Sequence, residues 1–500
     1  MHKKEEVGSS SKDYKEWLAS SRSDLLWLAG KPGSGKSTLV KSIVKRLVEE
    51  KDSTEDIAPL RTILLTARLT VTTLVPLRNL LLIFQSNERL FPLIRARFRH
   101  LQASKLKWDY ESLKLALLSL HATKFNIKVF LFVDGMDESD DAYRDDIIEF
   151  LVSLAAASSN SRCIFKVFIA GRPETYIRPW MNRARHISLE EMNREDVQTI
   201  VDSRISNLRQ FHVSALDHYA SKTEPENEEK TFTMTKAYIV DNSRGVFLWV
   251  SLVLSELENF VQLGGYSLHD IEECLHSLPT KLEKSDGFYA LMVERLAKNI
   301  TKAKHHGARS WRIFAWITFS ARQLAVTELA DALAISEQCL TQAPGTAFNL
   351  AKWRPVDLVH GLYTLCEGFV EVKPSADGLC VQLMHQTVRE FLLRRDQLAK
   401  LYDMNQTSGD KEIAITCCRY IYLAFMSAIT KRPVDSTFSL ATDVVEHLSD
   451  WNLLGYALTY PQFHLNSSEI IDKRTLSESE RLINETLSDS TSYASILLLG

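Results

Sequence analysis

The sequence predicts an α/β fold, a parallel sheet with helices on both faces, followed by helical and winged-helix-like domains. Three observations carry this expectation. First, short unbroken apolar runs recur in the first third of the chain: "LLWLA" (Leu25 to Ala29), "VFLFV" (Val129 to Val133) and "IFKVFIA" (Ile164 to Ala170, apolar apart from Lys166). Runs that are continuous rather than alternating suit strands buried on both faces. Second, the run at Leu25 leads into "STLVKSIVKRL", where Leu39, Ile43 and Leu47 repeat at helical spacing. Third, helical periodicity takes over further on, as in Val326, Leu329, Ala330 and Leu333.

Length and composition bound the rest. A chain of 500 residues exceeds one ordinary core, so two to four domains are expected. Hydrophobic content of 45% and charged content of 25% are those of a globular protein. A net charge of −3 argues against a generally basic nucleic-acid binder. No apolar run reaches the length of a bilayer span; "GVFLWVSLVL" is among the longest. The opening "MHKKEEVGSSSKDYKEW" lacks the apolar centre of a signal peptide. Seven cysteines without a C-x-x-C pair read as free thiols in a reducing compartment. The expected location is cytoplasmic.

Between the first run and its helix stands Gly30-Lys31-Pro32-Gly33-Ser34-Gly35-Lys36-Ser37, which fits G-x-x-x-x-G-K-[ST] at every fixed position. Glycines let such a P-loop curl so that backbone N–H groups face phosphate oxygens. The helix that follows turns its positive end to the same oxygens. Lys36 is expected on the β- and γ-phosphates, and the Ser37 hydroxyl on Mg²⁺.

The second run ends in Asp134, where a P-loop protein needs a magnesium-holding carboxylate. Asp137 and Glu138 follow within reach of a γ-phosphate, and Glu138 is the candidate for orienting water. Arg172 sits at the end of the third run, where ligands bind in open α/β sheets. Its guanidinium could distinguish a triphosphate from a diphosphate. For a guanine base the nearest reader is Asn193-Arg194-Glu195-Asp196, with arginine where lysine is wanted. Asn193 as a helix N-cap explains it equally well, so ATP or ADP is expected over GTP.

These motifs in this order resemble the NACHT domain of fungal NLR-like proteins, a type also described as nephrocystin 3-like N-terminal. The likeness rests on "LLWLAGKPGSGKST", on D-G-x-D-E at Asp134 to Glu138 and on G-R-P at Gly171 to Pro173. It continues in "SRGVFLWVSLVLSELENF", "LHSLPTKL" and "VQLMHQTVREFLL" and extends to "YALTYPQFHL". The resemblance implies a STAND-class signalling ATPase, compact with a diphosphate and self-oligomerising with a triphosphate. It implies a sheet order too, with the strand before Arg172 between the P-loop strand and the Asp134 strand. It also implies site roles: Gly30 through Thr38 for phosphates, Asp134 for Mg²⁺, Asp137 and Glu138 for hydrolysis, Arg172 as sensor. His385 falls where such proteins carry a histidine that contacts the diphosphate. It lies after "FVEVKPSADGLCVQLM", which reads as two strands around a turn at Asp377-Gly378.

The chain also departs from that family. Arg61 to Gln85 is unusually apolar and threonine-rich and is interrupted by Pro76. Gly245-Val246-Phe247 stands where related switches have glycine-leucine-proline. No periodic repeat follows residue 400. The expected organisation is an arm (1–24), the NACHT domain (25–190), a helical domain (191–300), a winged-helix-like domain (301–398) and a C-terminal helical region (399–500). The expected function is a nucleotide-dependent switch with slow hydrolysis as its reset, in fungal non-self recognition or regulated cell death. Its expected partners are nucleotide, further copies of itself, and an unnamed effector or sensor protein, with no membrane. The alternatives are a motor-like or kinase-like turnover ATPase and a winged-helix DNA-binding regulator. The wing "KPSADG" is poorly charged for the latter.

Overall fold

Each of the three apolar runs becomes a strand of one parallel sheet. The computed structural model describes residues 12–52, 61–68, 110–122, 126–136, 141–156, 162–173, 184–217, 225–264, 267–282, 287–302, 304–341, 348–375, 378–394, 397–402, 404–430 and 448–467, with a few isolated positions besides. It divides into two units, Met1–Thr280 and Lys281–Gly500.

In the first unit, α1 (Lys12–Ala19) leads to β1 (Asp24–Ala29), α2 (Lys36–Asp52), β2 (Arg61–Arg68), α3 (Tyr110–Ser119), β3 (Ile127–Asp134), α4 (Asp141–Ala155), β4 (Cys163–Gly171) and β5 (Arg185–Ser188). The sheet runs β2-β3-β4-β1-β5, and every pairing is parallel. The strand that precedes Arg172 thus lies between the P-loop strand and the Asp134 strand, as expected. Of the irregular stretch Arg61 to Gln85, the first part forms edge strand β2, in register with β3 from Arg61 opposite Ile127 to Arg68 opposite Asp134. The rest, from residue 69 to 85, lies outside the described residues.

Strand alternation divides the core in two. Leu25, Trp27, Val129, Leu131, Val133, Phe165, Val167 and Ile169 pack on α3 and α4 through Leu117, Ile148 and Leu151. On the other face, Leu26, Leu28, Phe130, Phe132 and Phe168 pack on α1 and α2 through Trp17, Leu39, Val40 and Ile43. Continuous apolar strands are needed because both faces are covered. The arm's helix α1 is built into this core. Trp17 is fully buried, edge-on to Phe130 at 5.8 Å and to Phe168 at 5.8 Å, and its indole N–H donates to Asp24 O. Arg185 on β5 pairs with Glu16 and Asp24 and holds the helix from the side.

Lys166 interrupts the β4 run and is fully buried, its Nζ without a hydrogen-bond partner. Burial, with Lys128 nearby as a second cause, pushes its pKa down to about 8.

Helices complete this unit: α5 (Leu189–Met192), α6 (Arg194–Asp217), α7 (Pro225–Ser243), α8 (Phe247–Gly264) and α9 (Leu268–Ser277). Trp249, Val250, Val253, Leu254, Leu257 and Val261 form the buried stripe of α8, which explains why "GVFLWVSLVL" is apolar without spanning a membrane. No helix among the described residues is long and apolar enough to cross one.

The second unit opens with α10 (Phe288–Lys302) and α11 (Lys304–Phe319). Then come β6 (Leu324–Ala325), α12 (Val326–Ala334), α13 (Leu358–Cys366), β7 (Val370–Ser375) and β8 (Gly378–Leu383). The small antiparallel sheet β6-β8-β7 against these helices is the expected winged-helix arrangement. The expected strand pair around residues 377 and 378 forms, with Ser375 opposite Gly378; Asp377 itself lies outside the described residues. After it come α14 (Gln386–Arg394), α15 (Gln397–Tyr402), α16 (Gln406–Thr430), α17 (Leu454–Thr459) and α18 (Pro461–Ser467).

Buried polar nodes tie the last helices to the winged-helix elements. Asp331 on α12 is fully buried and accepts from Arg354 at 2.5 Å and from the Tyr420 hydroxyl at 2.6 Å. Asp410, Tyr456 and His464 are likewise buried. They form a chain: His464 Nδ1 meets Asp410 at 2.6 Å and Nε2 meets the Tyr456 hydroxyl at 2.8 Å. That hydroxyl also accepts from Ala321 N–H. The "YALTYPQFHL" motif therefore supplies two of the three side chains of this lock.

Candidate functional site

β1 ends at Ala29, and the chain crosses the carboxyl edge of the sheet as the loop from Gly30 to Lys36. Gly30 N–H donates to Gly171 O at 3.2 Å, which carries the β1–β4 ladder one residue beyond the strand. Gly33 and Gly35 have φ of +74° and +91°, a region that side chains avoid. Ser34 N–H closes a turn onto Lys31 O at 3.1 Å. Lys36 Nζ donates to Gly30 O at 2.6 Å and Lys31 O at 3.1 Å, which draws the ammonium back over the loop. Ser37 and Thr38 follow in the first turn of α2, where helix N–H groups lack intrahelical partners.

These residues fit a phosphate group. Ser34 Oγ is buried without a hydrogen-bond partner, inside a loop that carries the Lys36 ammonium and bends at two glycines of positive φ. A helix N-terminus beyond them adds positive potential. Hydroxyl and carboxylate oxygens, from Ser37 and Asp134, are the hard donors that suit Mg²⁺.

Asp134 closes β3 opposite Ala170. Gly135, at φ +76°, turns the chain away at once and donates its N–H to Ala170 O at 3.1 Å. Arg172 follows β4 directly and is half-buried. The P-loop, Arg172 and Asp134 thus leave three adjacent strands at one edge, with Ala29 level with Gly171. That edge, beside the strand where the order reverses, is where open α/β sheets bind ligands. Asp137 and Glu138 lie outside the described residues. His385 belongs to the second unit, at the junction of β8 and α14. There its Nδ1 accepts from Thr387 N–H at 3.2 Å and meets the Thr387 hydroxyl at 2.9 Å, so the ring caps α14.

The structure adds residues that the sequence did not single out for this role. β5 is the other neighbour of β1, so the segment after it runs along the outside of the P-loop. Glu190 accepts from Lys31 N–H at 2.7 Å and pairs with Lys31 Nζ at 3.0 Å. Asn193 is buried, and its amide donates to Ser34 O and Gly245 O, both at 2.8 Å. Leu248 N–H, in the first turn of α8, donates to Gly33 O at 3.2 Å. Gly245 has φ +72°, and a Cβ there would lie 2.5 Å from Glu190 O. Both Asn193 amide hydrogens are thus engaged by peptide carbonyls. Asn193 does not serve as a side-chain N-cap, although its carbonyl begins α6 by accepting from Val197.

Residues 8–172 match the family described as nephrocystin 3, N-terminal, and residues 296–403 match the winged helix domain of GPI inositol-deacylase. Vegetative incompatibility protein HET-E-1 of Podospora anserina is 23% identical over 394 residues, covering 77% of this chain and 25% of that protein. The chain thus spans about a quarter of the length of that curated relative. A STAND protein with a tetratricopeptide repeat sensor from Pyrococcus horikoshii shares 11% identity at a TM-score of 0.33, over 98% of this chain and 66% of its own. A point mutant of RuvB from Thermotoga maritima shares 13% at a TM-score of 0.29, over 78% and 95%. Drosophila ORC bound to DNA shares 10% at 0.30, over 81% and 86%. At such scores the likeness is loose.

The loop, the sheet and the sequence match over residues 8–172 define the class, a P-loop NTPase. Within it, residues 8–172 are similar to the nephrocystin 3 N-terminal family and residues 296–403 to the winged helix domain of GPI inositol-deacylase.

Proposed function

We propose that the protein is a nucleotide-dependent signalling switch that binds ATP or ADP with Mg²⁺ and hydrolyses ATP slowly. The observation that carries this is the clamp on the outer side of the P-loop. Glu190, Asn193 and Leu248 tie the loop's backbone to the helices that follow the sheet. A loop joined to helices in this way suits a protein whose helices respond to occupancy.

In this reading Lys36 and the loop N–H groups hold the phosphates, and Ser37 and Asp134 hold Mg²⁺. Arg172 senses the γ-phosphate, Asp137 and Glu138 orient water, and His385 contacts the diphosphate. Triphosphate binding favours self-assembly, and similarity to HET-E-1 supports a role in fungal vegetative incompatibility. A DNA-binding role finds little support in the winged helix. The exposed positions of α13 are Val359, His360, Tyr363 and Thr364, with no arginine or lysine to meet phosphates.

The test is to denature freshly purified protein, wild type and Lys36→Ala, and identify the released nucleotide. Stoichiometric ADP in the wild type that disappears in the variant is the expected result. Released GDP would refute the adenine assignment. Rapid steady turnover of ATP by nucleotide-free protein would refute the switch in favour of a turnover enzyme.

A further inference from the structure

The nucleotide-site reading given above leaves open what sets the conformation of the loop. We propose that Asn193 is a positioning residue for the phosphate cradle, fixing the Ser34–Gly35 peptide so that the Gly35 N–H faces the phosphate. Asn193 carries two amide hydrogens, and each meets a backbone carbonyl at 2.8 Å, Ser34 O on the loop and Gly245 O before α8. The side chain is 1% exposed, so no water competes for these bonds. A trans peptide points its C=O and N–H in opposite directions. Holding Ser34 O outward therefore turns the Gly35 N–H inward.

The neighbouring peptide is held in the same sense, because Gly33 O accepts from Leu248 N–H at 3.2 Å. Two consecutive loop carbonyls thus face the helices. Positive φ at Gly33 and Gly35 makes this loop adaptable in isolation, so its outward carbonyls need fixed donors. The third contact lies at the loop's start, where Glu190 takes the Lys31 N–H. Asn193 is the only side chain among these three that bonds the loop and the α7–α8 turn together. It makes the loop's shape depend on where α8 begins.

The test compares wild type with Asn193→Leu and Asn193→Asp in the full chain. The readouts are ADP affinity by calorimetry, the thermal midpoint without nucleotide, and the Gly35 amide signal in protein carrying ¹⁵N-glycine. Asn193→Leu removes both donors. Asn193→Asp keeps the size and carries the test if the leucine variant does not fold. The expected result is ADP binding weakened about tenfold or more, equivalent to about 1.4 kcal/mol, with a Gly35 amide response to saturating ADP that is smaller than in wild type. Unchanged ADP affinity would overturn the proposal. So would weakened affinity accompanied by a wild-type Gly35 response, which would make Asn193 merely structural. Wild-type protein that binds neither ADP nor GDP would refute the nucleotide reading itself, and this proposal with it.

Discussion

Replacing Lys166 with methionine should stabilise the first unit. The lysine is fully buried on β4 with no hydrogen-bond partner for its ammonium. Methionine keeps the unbranched stem and removes the charge. The native pKa of about 8, against an ordinary 10.5, corresponds at about 1.4 kcal/mol per decade to a penalty of about 3 kcal/mol. Asp24 offsets part of the burial cost, whereas Lys128 and Arg185 add to it. Below pH 8 native and unfolded chains both hold the proton, and the full penalty applies. Between pH 8 and 10.5 the native lysine releases its proton while the unfolded one keeps it, so wild-type stability gains from this group as pH rises. Above that range the penalty is gone.

Lys166→Met should therefore raise the thermal midpoint at pH 7 by roughly 6 °C or more. The advantage should shrink steadily from pH 8 towards 10. Scanning calorimetry of both proteins at several pH values tests it. A lower midpoint for Lys166→Met at pH 7 would refute the reasoning, because it would mean that the lysine stabilises the core through a contact of its own.

Other substitutions probe the two units separately. His464→Ala should destabilise the second unit by about 3 kcal/mol, since it leaves the buried Asp410 carboxylate without its imidazole partner; denaturant titration measures this. Arg354→Met should cost about 2–4 kcal/mol by the same logic at Asp331, and an unchanged denaturation midpoint would count against that node. Gly245→Ala forces a side chain into φ +72° and against Glu190 O. It should lower both stability and ADP affinity, and a variant that binds ADP as tightly as wild type would show that the clamp is dispensable.

Much of the site was legible because its chemistry is local in sequence. A loop of glycines between a buried strand and a helix can be recognised from spacing alone, and so can a carboxylate or an arginine at the end of an apolar run. Those residues arrive at one edge because parallel strands all present their carboxyl ends together. The clamp was not legible. Glu190 and Asn193 follow a short strand, Arg185–Ser188, whose place beside β1 is set by strand pairing and not by any pattern in "HISLEEMN". Asn193 suits a base reader or a helix cap by residue type, and its two bonds to peptide carbonyls far along the chain leave no mark in the sequence around it.

The same division holds elsewhere. Sequence by itself determined the three apolar strands that begin at Asp24, Ile127 and Cys163, the phosphate loop and the strand pair near residue 377, because each depends on neighbours a few positions away. Tertiary structure alone decided that Trp17 of the arm enters the core, that Lys166 is buried, and that Tyr456 and His464 meet Asp410. Each of those outcomes depends on residues far apart in the chain, whose meeting no local spacing records.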